Sequence, residues 1–125
     1  MNLVIDIGNT LVKYALFQGD DILDIYKKKE EDILFIDELI DKFDVDSIII
    51  SSVREMKNWK FKVNHYILDH RTKIPINIRY KTPKTLGNDR IANIIAASIL
   101  YPYKNILVID AGSCITYDFI NKNKD

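Results

Sequence analysis

The strongest constraint on this 125-residue chain is a stretch that occurs twice. Residues 3–17 read LVIDIGNTLVKYALF and residues 107–120 read LVIDAGSCITYDFI. At a constant offset of 104, Leu3, Val4, Ile5, Asp6 and Gly8 match Leu107, Val108, Ile109, Asp110 and Gly112 without a gap, and Leu11 falls on Ile115. Each copy opens on a short aliphatic, β-branched run, the pattern of a buried strand. An aspartate, a glycine turn and a second apolar run follow. Gly8 and Asn9 tolerate φ > 0, so they suit a tight turn. The recurrence predicts two similar half-domains, each presenting one polar turn.

In the first copy Asp6, Asn9, Thr10 and Lys13 crowd the bend. Backbone N–H groups, a hydroxyl and an ammonium suit a phosphate, and a carboxylate suits a metal ion. Taken alone, the same residues equally describe a plain hairpin with its polar tip in water. The second copy favours a pair of turns gripping a nucleotide triphosphate from two sides.

DIGNTLVK at 6–13, GNDR at Gly87–Arg90 and DAGS at Asp110–Ser113 follow one another in an order and spacing that resemble the three signatures of the type III pantothenate kinases. That family belongs to the actin, hexokinase and sugar-kinase superfamily, and the resemblance covers the whole chain. Ser113 stands where the family usually has threonine, which keeps the hydroxyl. Chains of the family are considerably longer, so the resemblance implies the N-terminal half of such a chain. The implied fold is α/β. A ribonuclease H-like half-domain with a mixed sheet and a connecting helix would occupy 1–103. The first hairpin of a second half-domain, apparently truncated, would occupy 104–125.

The implied activity is ATP-dependent phosphorylation of pantothenate to 4'-phosphopantothenate, the first step of coenzyme A synthesis. By the resemblance Asp6, Gly8, Asn9, Thr10, Lys13 and Ser113 bind ATP, and Asp6 holds Mg²⁺ through water. Asp110 binds a monovalent cation, K⁺ or NH₄⁺. Asp89 is the catalytic carboxylate that accepts the proton of the pantothenate hydroxyl. Tyr80, Gly87, Asn88, Asp89 and Arg90 bind pantothenate, with the Arg90 fork suited to a carboxylate. A homodimer is implied. Read without the family, Asp89 is an ordinary helix cap, Asp110 a strand-end carboxylate capping its own turn, and Tyr80 a tyrosine at a strand end. A non-catalytic binding or regulatory homologue on the same fold, or a kinase of another small hydroxylated metabolite, is the alternative.

Composition narrows the partners. Eighteen Lys and Arg balance 18 Asp and Glu, so no global field draws nucleic acid or an anionic membrane. One cysteine, Cys114, leaves no intramolecular disulfide and no metal cluster. Its place in an apolar run predicts a buried structural thiol. Neither a positive leader nor a long uncharged apolar run is present, so no signal peptide or membrane span is expected, and the cytoplasm is the expected compartment.

Between the copies, a third strand is predicted at 22–26. The charge run 27–32 neutralises itself and reads as a solvated loop. Asp32 caps a predicted helix at 33–43, with Ile36, Leu39, Ile40 and Phe43 on one face. A strand apolar on both faces follows at 47–52, ending on Ser51 and Ser52, with Arg54 just beyond. These three are loop residues at a strand end, where open α/β sheets tend to place ligand contacts. The spacing of Trp59, Val63, Tyr66 and Ile67 predicts a second helix, from Asn58 to about residue 69, with a core-facing stripe. His65 and His70 read as surface or cap residues. A short strand is predicted at 76–80. A helix from Asn88 or Asp89 to Tyr101 is predicted to be buried between two halves, because Ala92, Ala96 and Ala97 keep its other sides small. The repeated hairpin, 106–110 and 115–120, completes the chain.

Overall fold

Six residues at the start of the chain form β1 (Asn2–Ile7), and alternation puts Leu3, Ile5 and Ile7 on one face, all of them buried. The computed structural model describes residues 1–125, which form two compact units, Met1–Leu68 and Asp69–Asp125.

In the first unit β1 is the middle of a five-stranded mixed sheet. β2 (Val12–Gln18) pairs with it antiparallel, and β3 (Asp21–Lys28) pairs with β2 antiparallel. β4 (Ser47–Ser52) lies parallel on the other edge of β1, and β5 (Asn64–Ile67) lies parallel to β4. The spatial order is β3-β2-β1-β4-β5. Helix α1 (Ile33–Phe43) connects β3 to β4. It starts where the sequence predicts, because the Asp32 carboxylate accepts from the Phe35 N–H at 3.0 Å. Ile36, Leu39 and Ile40 of α1 join Leu3, Ile5, Tyr14, Ile48 and Ile50 in one core. Each such side chain contributes about 1.5–3 kcal/mol on full burial. Phe35 packs edge-on against Tyr14 and Tyr26, with centroids 5.2 and 5.3 Å away. The Tyr14 hydroxyl accepts from the Asp32 N–H at 3.2 Å, which ties the helix start to β2.

The predicted helix from Asn58 to about 69 does not form. Residues 64–67 are β5, and only Trp59 of the predicted stripe is deeply buried, while Tyr66 and Ile67 are exposed. The free edge of β4 decides this. It offers a row of unpaired backbone groups that a fifth strand satisfies, and the Leu68 N–H continues the ladder to the Ile50 carbonyl at 2.8 Å. His65 and His70 are exposed.

The second unit holds α2 (Asn88–Leu100), β6 (Ile106–Ala111) and β7 (Ile115–Ile120), preceded by a 3-10 turn at Pro83–Thr85. The predicted strand at 76–80 is irregular instead, and its Asn77 N–H donates to the Lys124 carbonyl at 2.8 Å, outside any strand ladder. Within its own unit α2 buries one face, through Ile91, Ile94 and Ser98, whereas Ile99 and Leu100 are exposed.

The register of the two hairpins corrects the ungapped repeat. Ile7 pairs with Val12 and Asp6 with Lys13, but Ala111 pairs with Ile115 and Asp110 with Thr116. The second turn is therefore one residue shorter. In the strands after the turns the structural equivalents are Lys13 with Thr116, Tyr14 with Tyr117 and Leu16 with Phe119. No helix is long and apolar enough to cross a membrane.

Asp32 gives the first unit an acid signature. The Lys28 ammonium, at 2.7 Å, and then the Phe35 N–H hold its carboxyl below the ordinary aspartate range. A lowered folded value stabilises the fold fully above the unfolded value of about 3.9. That contribution is lost as pH falls through the lower folded value. Asp32→Asn keeps a capping oxygen but removes the charge. Its urea midpoint should lie below wild type at neutral pH and converge on it as pH falls through the lowered folded value of Asp32. A gap of constant size down to acid pH would remove Asp32 from the acid response.

Candidate functional site

The first turn, residues 8–11, closes where Ile7 meets Val12, and the Gly8 N–H donates to the Leu11 carbonyl at 3.0 Å. Neither Gly8 nor Asn9 has a positive φ, contrary to the reading of the turn from its residue types. Gly8 instead eases a close approach: a Cβ there would sit a tight 3.2 Å from the Leu11 carbonyl oxygen. Asn9 and Thr10 are exposed at the tip. Asp6 lies opposite Lys13 on β2 and opposite Ser51 on β4, and Lys13 lies opposite Lys27 on β3. One row across the sheet thus carries two ammonium groups, a carboxylate and a hydroxyl. The Ser51 Oγ is buried without a hydrogen-bond partner. The end of β4 folds back on this turn, since the Val53 N–H donates to the Ile7 carbonyl at 3.0 Å and Arg54 Nη2 donates to the Gly8 carbonyl at 2.8 Å.

In the second unit the candidates gather at the start of α2. Gly87 is the N-cap, without a side-chain capping bond, so Asp89 lies in the first turn and is not the cap. Its Oδ1 accepts from the Arg90 N–H at 2.9 Å. A Cβ on Gly87 would lie 2.5 Å from Asp89 Oδ1, so the glycine leaves room for that carboxylate.

Arg90 is engaged by a partner the sequence reading did not name. Its Nε and Nη2 donate to Asp118 on β7 at distances of 2.6 to 3.2 Å. Asp118 raises the basicity of Arg90 further, outweighing the cost of its partial burial. The guanidinium also lies 5.4 Å from the centre of the Tyr80 ring. One helical turn on, Asn93 Nδ2 donates to Asp110 Oδ2 at 3.1 Å. α2 is therefore tied to both strands of the hairpin. The available signal for Asp118 was a carboxylate two residues past Thr116 inside an apolar strand. For Asn93 it was a polar residue three positions after Arg90.

Tyr80, Arg90 and Asp118 line a cavity of about 450 Å³, whose apolar wall includes Ile76, Ile78, Leu86 and Ile91. The second turn, residues 112–114, closes with the Gly112 N–H donating to the Cys114 carbonyl at 3.0 Å. Ser113 is exposed there, and so is Cys114, which overturns the expectation of a buried thiol. The cysteine falls in the turn because β7 begins only at the next residue, Ile115.

Asp6, Gly8, Asn9, Thr10 and Lys13 thus gather in the first unit. Tyr80, Gly87, Asn88, Asp89, Arg90 and Asp110 gather in the second, with Ser113 in its turn. No cluster of three or more His, Cys, Asp or Glu side chains is present. Asp6 and Asp110 each offer a single carboxylate. The single Asp6 carboxylate fits a Mg²⁺ ion shared with phosphate oxygens and water, not an all-protein cage.

A family model of the type III pantothenate kinases matches residues 2–125. Curated relatives bearing that name include a protein of Phocaeicola vulgatus, 38% identical over 127 residues, covering 97% of this chain and 52% of the relative. One from Christiangramia forsetii is 43% identical over 126 residues, covering 94% of this chain and 51% of the relative. One from Ehrlichia canis is 33% identical over 145 residues, covering 99% and 55%. The chain spans about half the length of the curated relatives it matches.

Gly87→Ala tests the geometry at the helix start. The backbone at Gly87, φ −58 and ψ 137, is open to any residue, so the fold should survive. The added methyl should displace the Asp89 carboxylate. A crystal structure, or the carboxyl carbon shift of Asp89, should report the movement at nearly unchanged melting temperature. An undisturbed Asp89 would show that Gly87 is not needed there.

Proposed function

The chain belongs to the type III pantothenate kinase family, and from that premise we propose that its protein transfers the γ-phosphoryl group of ATP to the hydroxyl of pantothenate. One observation carries the reading. A carboxylate, Asp89, stands at a helix N-terminus beside Arg90, whose fork and the Tyr80 ring line an acceptor-sized cavity. The strand order β3-β2-β1-β4-β5 supports reading the first sheet as a ribonuclease H-like half-domain, with 1–103 as that half-domain and its connecting helix, and 104–125 as the opening of a second. We place the protein in the cytoplasm as a homodimer.

In this reading the turn at Gly8, Asn9 and Thr10, with Lys13, binds the phosphates of ATP, and Ser113 is the ATP-binding hydroxyl of the second turn. Phosphoryl transfer runs through a loose transition state, so the protein's task is to position groups and to meet developing charge. Mg²⁺, held by Asp6 through water, would neutralise phosphate charge. Asp110, oriented by Asn93, would hold a monovalent cation. Asp89 orients the acceptor hydroxyl and accepts its proton. Because the transition state is loose, orientation of the hydroxyl is its larger contribution. Arg90 meets the pantothenate carboxylate with the N–H groups that Asp118 does not use. Asn88 and Gly87 shape the approach to Asp89, and Tyr80 covers the acceptor.

A coupled ADP-release assay with pantothenate, run on the whole protein with and without potassium, tests the reading. Asp89→Asn should lower kcat by about 10²–10⁴-fold with nucleotide binding retained. Unchanged turnover would remove Asp89 from the mechanism. Potassium or ammonium in place of sodium should raise activity, and Asp110→Asn should abolish that response. Equal activity in sodium would overturn the role given to Asp110.

A further inference from the structure

The first turn has a brace that the family reading leaves without a role. β4 ends at Ser52, whose Oγ accepts from the Arg54 N–H at 3.1 Å and donates to the Arg54 carbonyl at 2.9 Å. This local turn, with the Val53 N–H on the Ile7 carbonyl, carries Arg54 back to the end of β1. There Nη2 donates to the Gly8 carbonyl at 2.8 Å, and Nη1 meets Glu31 at 3.5 Å. The guanidinium is therefore held between one backbone carbonyl and one carboxylate.

A peptide unit is planar, so fixing the Gly8 carbonyl also fixes the Asn9 N–H, which points the opposite way. The Gly8 N–H is already spent on the Leu11 carbonyl, so it has no bond left for a ligand. Asn9 is the next N–H along the turn. A cation on the carbonyl oxygen polarises the amide and strengthens its N–H as a donor.

We infer that Arg54 is a positioning residue for the phosphate turn, holding the Gly8–Asn9 peptide so that the Asn9 N–H is presented to a nucleotide phosphate. The inference rests on the proposal that ATP binds at this turn. Arg54 acts from behind the turn and does not touch the phosphate itself.

The test is calorimetric titration of MgATP into the whole protein, alongside steady-state kinetics. Arg54→Ala should weaken MgATP binding about tenfold, as expected for a lost charge-assisted bond. The KM for ATP should rise with it, while the KM for pantothenate and the melting temperature stay near wild type. Arg54→Gln can still donate to the Gly8 carbonyl but lacks the charge, so it should show a smaller loss. Arg54→Lys keeps the charge and should recover most of the affinity. A merely structural brace would instead lower the melting temperature and affect both substrates alike, and that result overturns the inference. Unchanged MgATP affinity in Arg54→Ala overturns it too, as does unchanged affinity in Arg54→Gln should Arg54→Ala not fold. A wild-type protein that binds MgATP, with the Arg54 dependence described, but does not phosphorylate pantothenate would overturn the acceptor assignment and leave this inference standing.

Discussion

Everything in the first unit is registered against β1. It is hydrogen-bonded along both edges, antiparallel to β2 and parallel to β4, and one face of it is fully buried. A one-residue slip would turn Leu3, Ile5 and Ile7 to the opposite face, so the register is tightly specified. Because β1 and β4 run parallel, their C-terminal ends meet. Asp6 with Gly8 and Ser51 with Arg54 therefore come together although they lie far apart in the chain. The carboxyl ends of parallel strands are where open α/β sheets place ligands, and here that end carries the polar turn.

In the second unit a partly buried charge does the comparable work. Asp118 points from an apolar strand into a partly enclosed site, a costly place for an unpaired carboxylate. Arg90 answers it with two nitrogens, and Asn93 answers Asp110 one helical turn later. The two tethers fix the rotation of α2 against the hairpin. Asp89, one residue before Arg90, is thereby carried in a defined direction. Arg90 thus links the fold and the proposed chemistry, since one side of its fork holds the helix in place and the rest is left for an acceptor.

Much of this was legible from residue order. The two hairpins, α1 with its Asp32 cap, β4 and the start of α2 are written in local periodicity and capping residues, which act within a few positions. The three motifs pointed to the family, and the family match spans the same residues. The helix expected from Asn58 was not legible as a strand. Trp59, Val63, Tyr66 and Ile67 fit a helical stripe, and only the vacant edge of β4 turns residues 64–67 into β5.

The sequence by itself determined the apolar runs of β1 and β4, the polar turns and the glycine near Asp89, because each follows from the properties of neighbouring residues; that Ile49 of β4 lies exposed between buried Ile48 and Ile50 was decided by the sheet. Tertiary structure alone decided the fifth strand, the one-residue difference between the hairpin registers, the Arg90–Asp118 pair and the reach of Arg54 to Gly8. Each of those joins groups that are distant in the chain. Backbone edges and buried charges are satisfied by whichever partner the fold brings near, and no local pattern names that partner in advance.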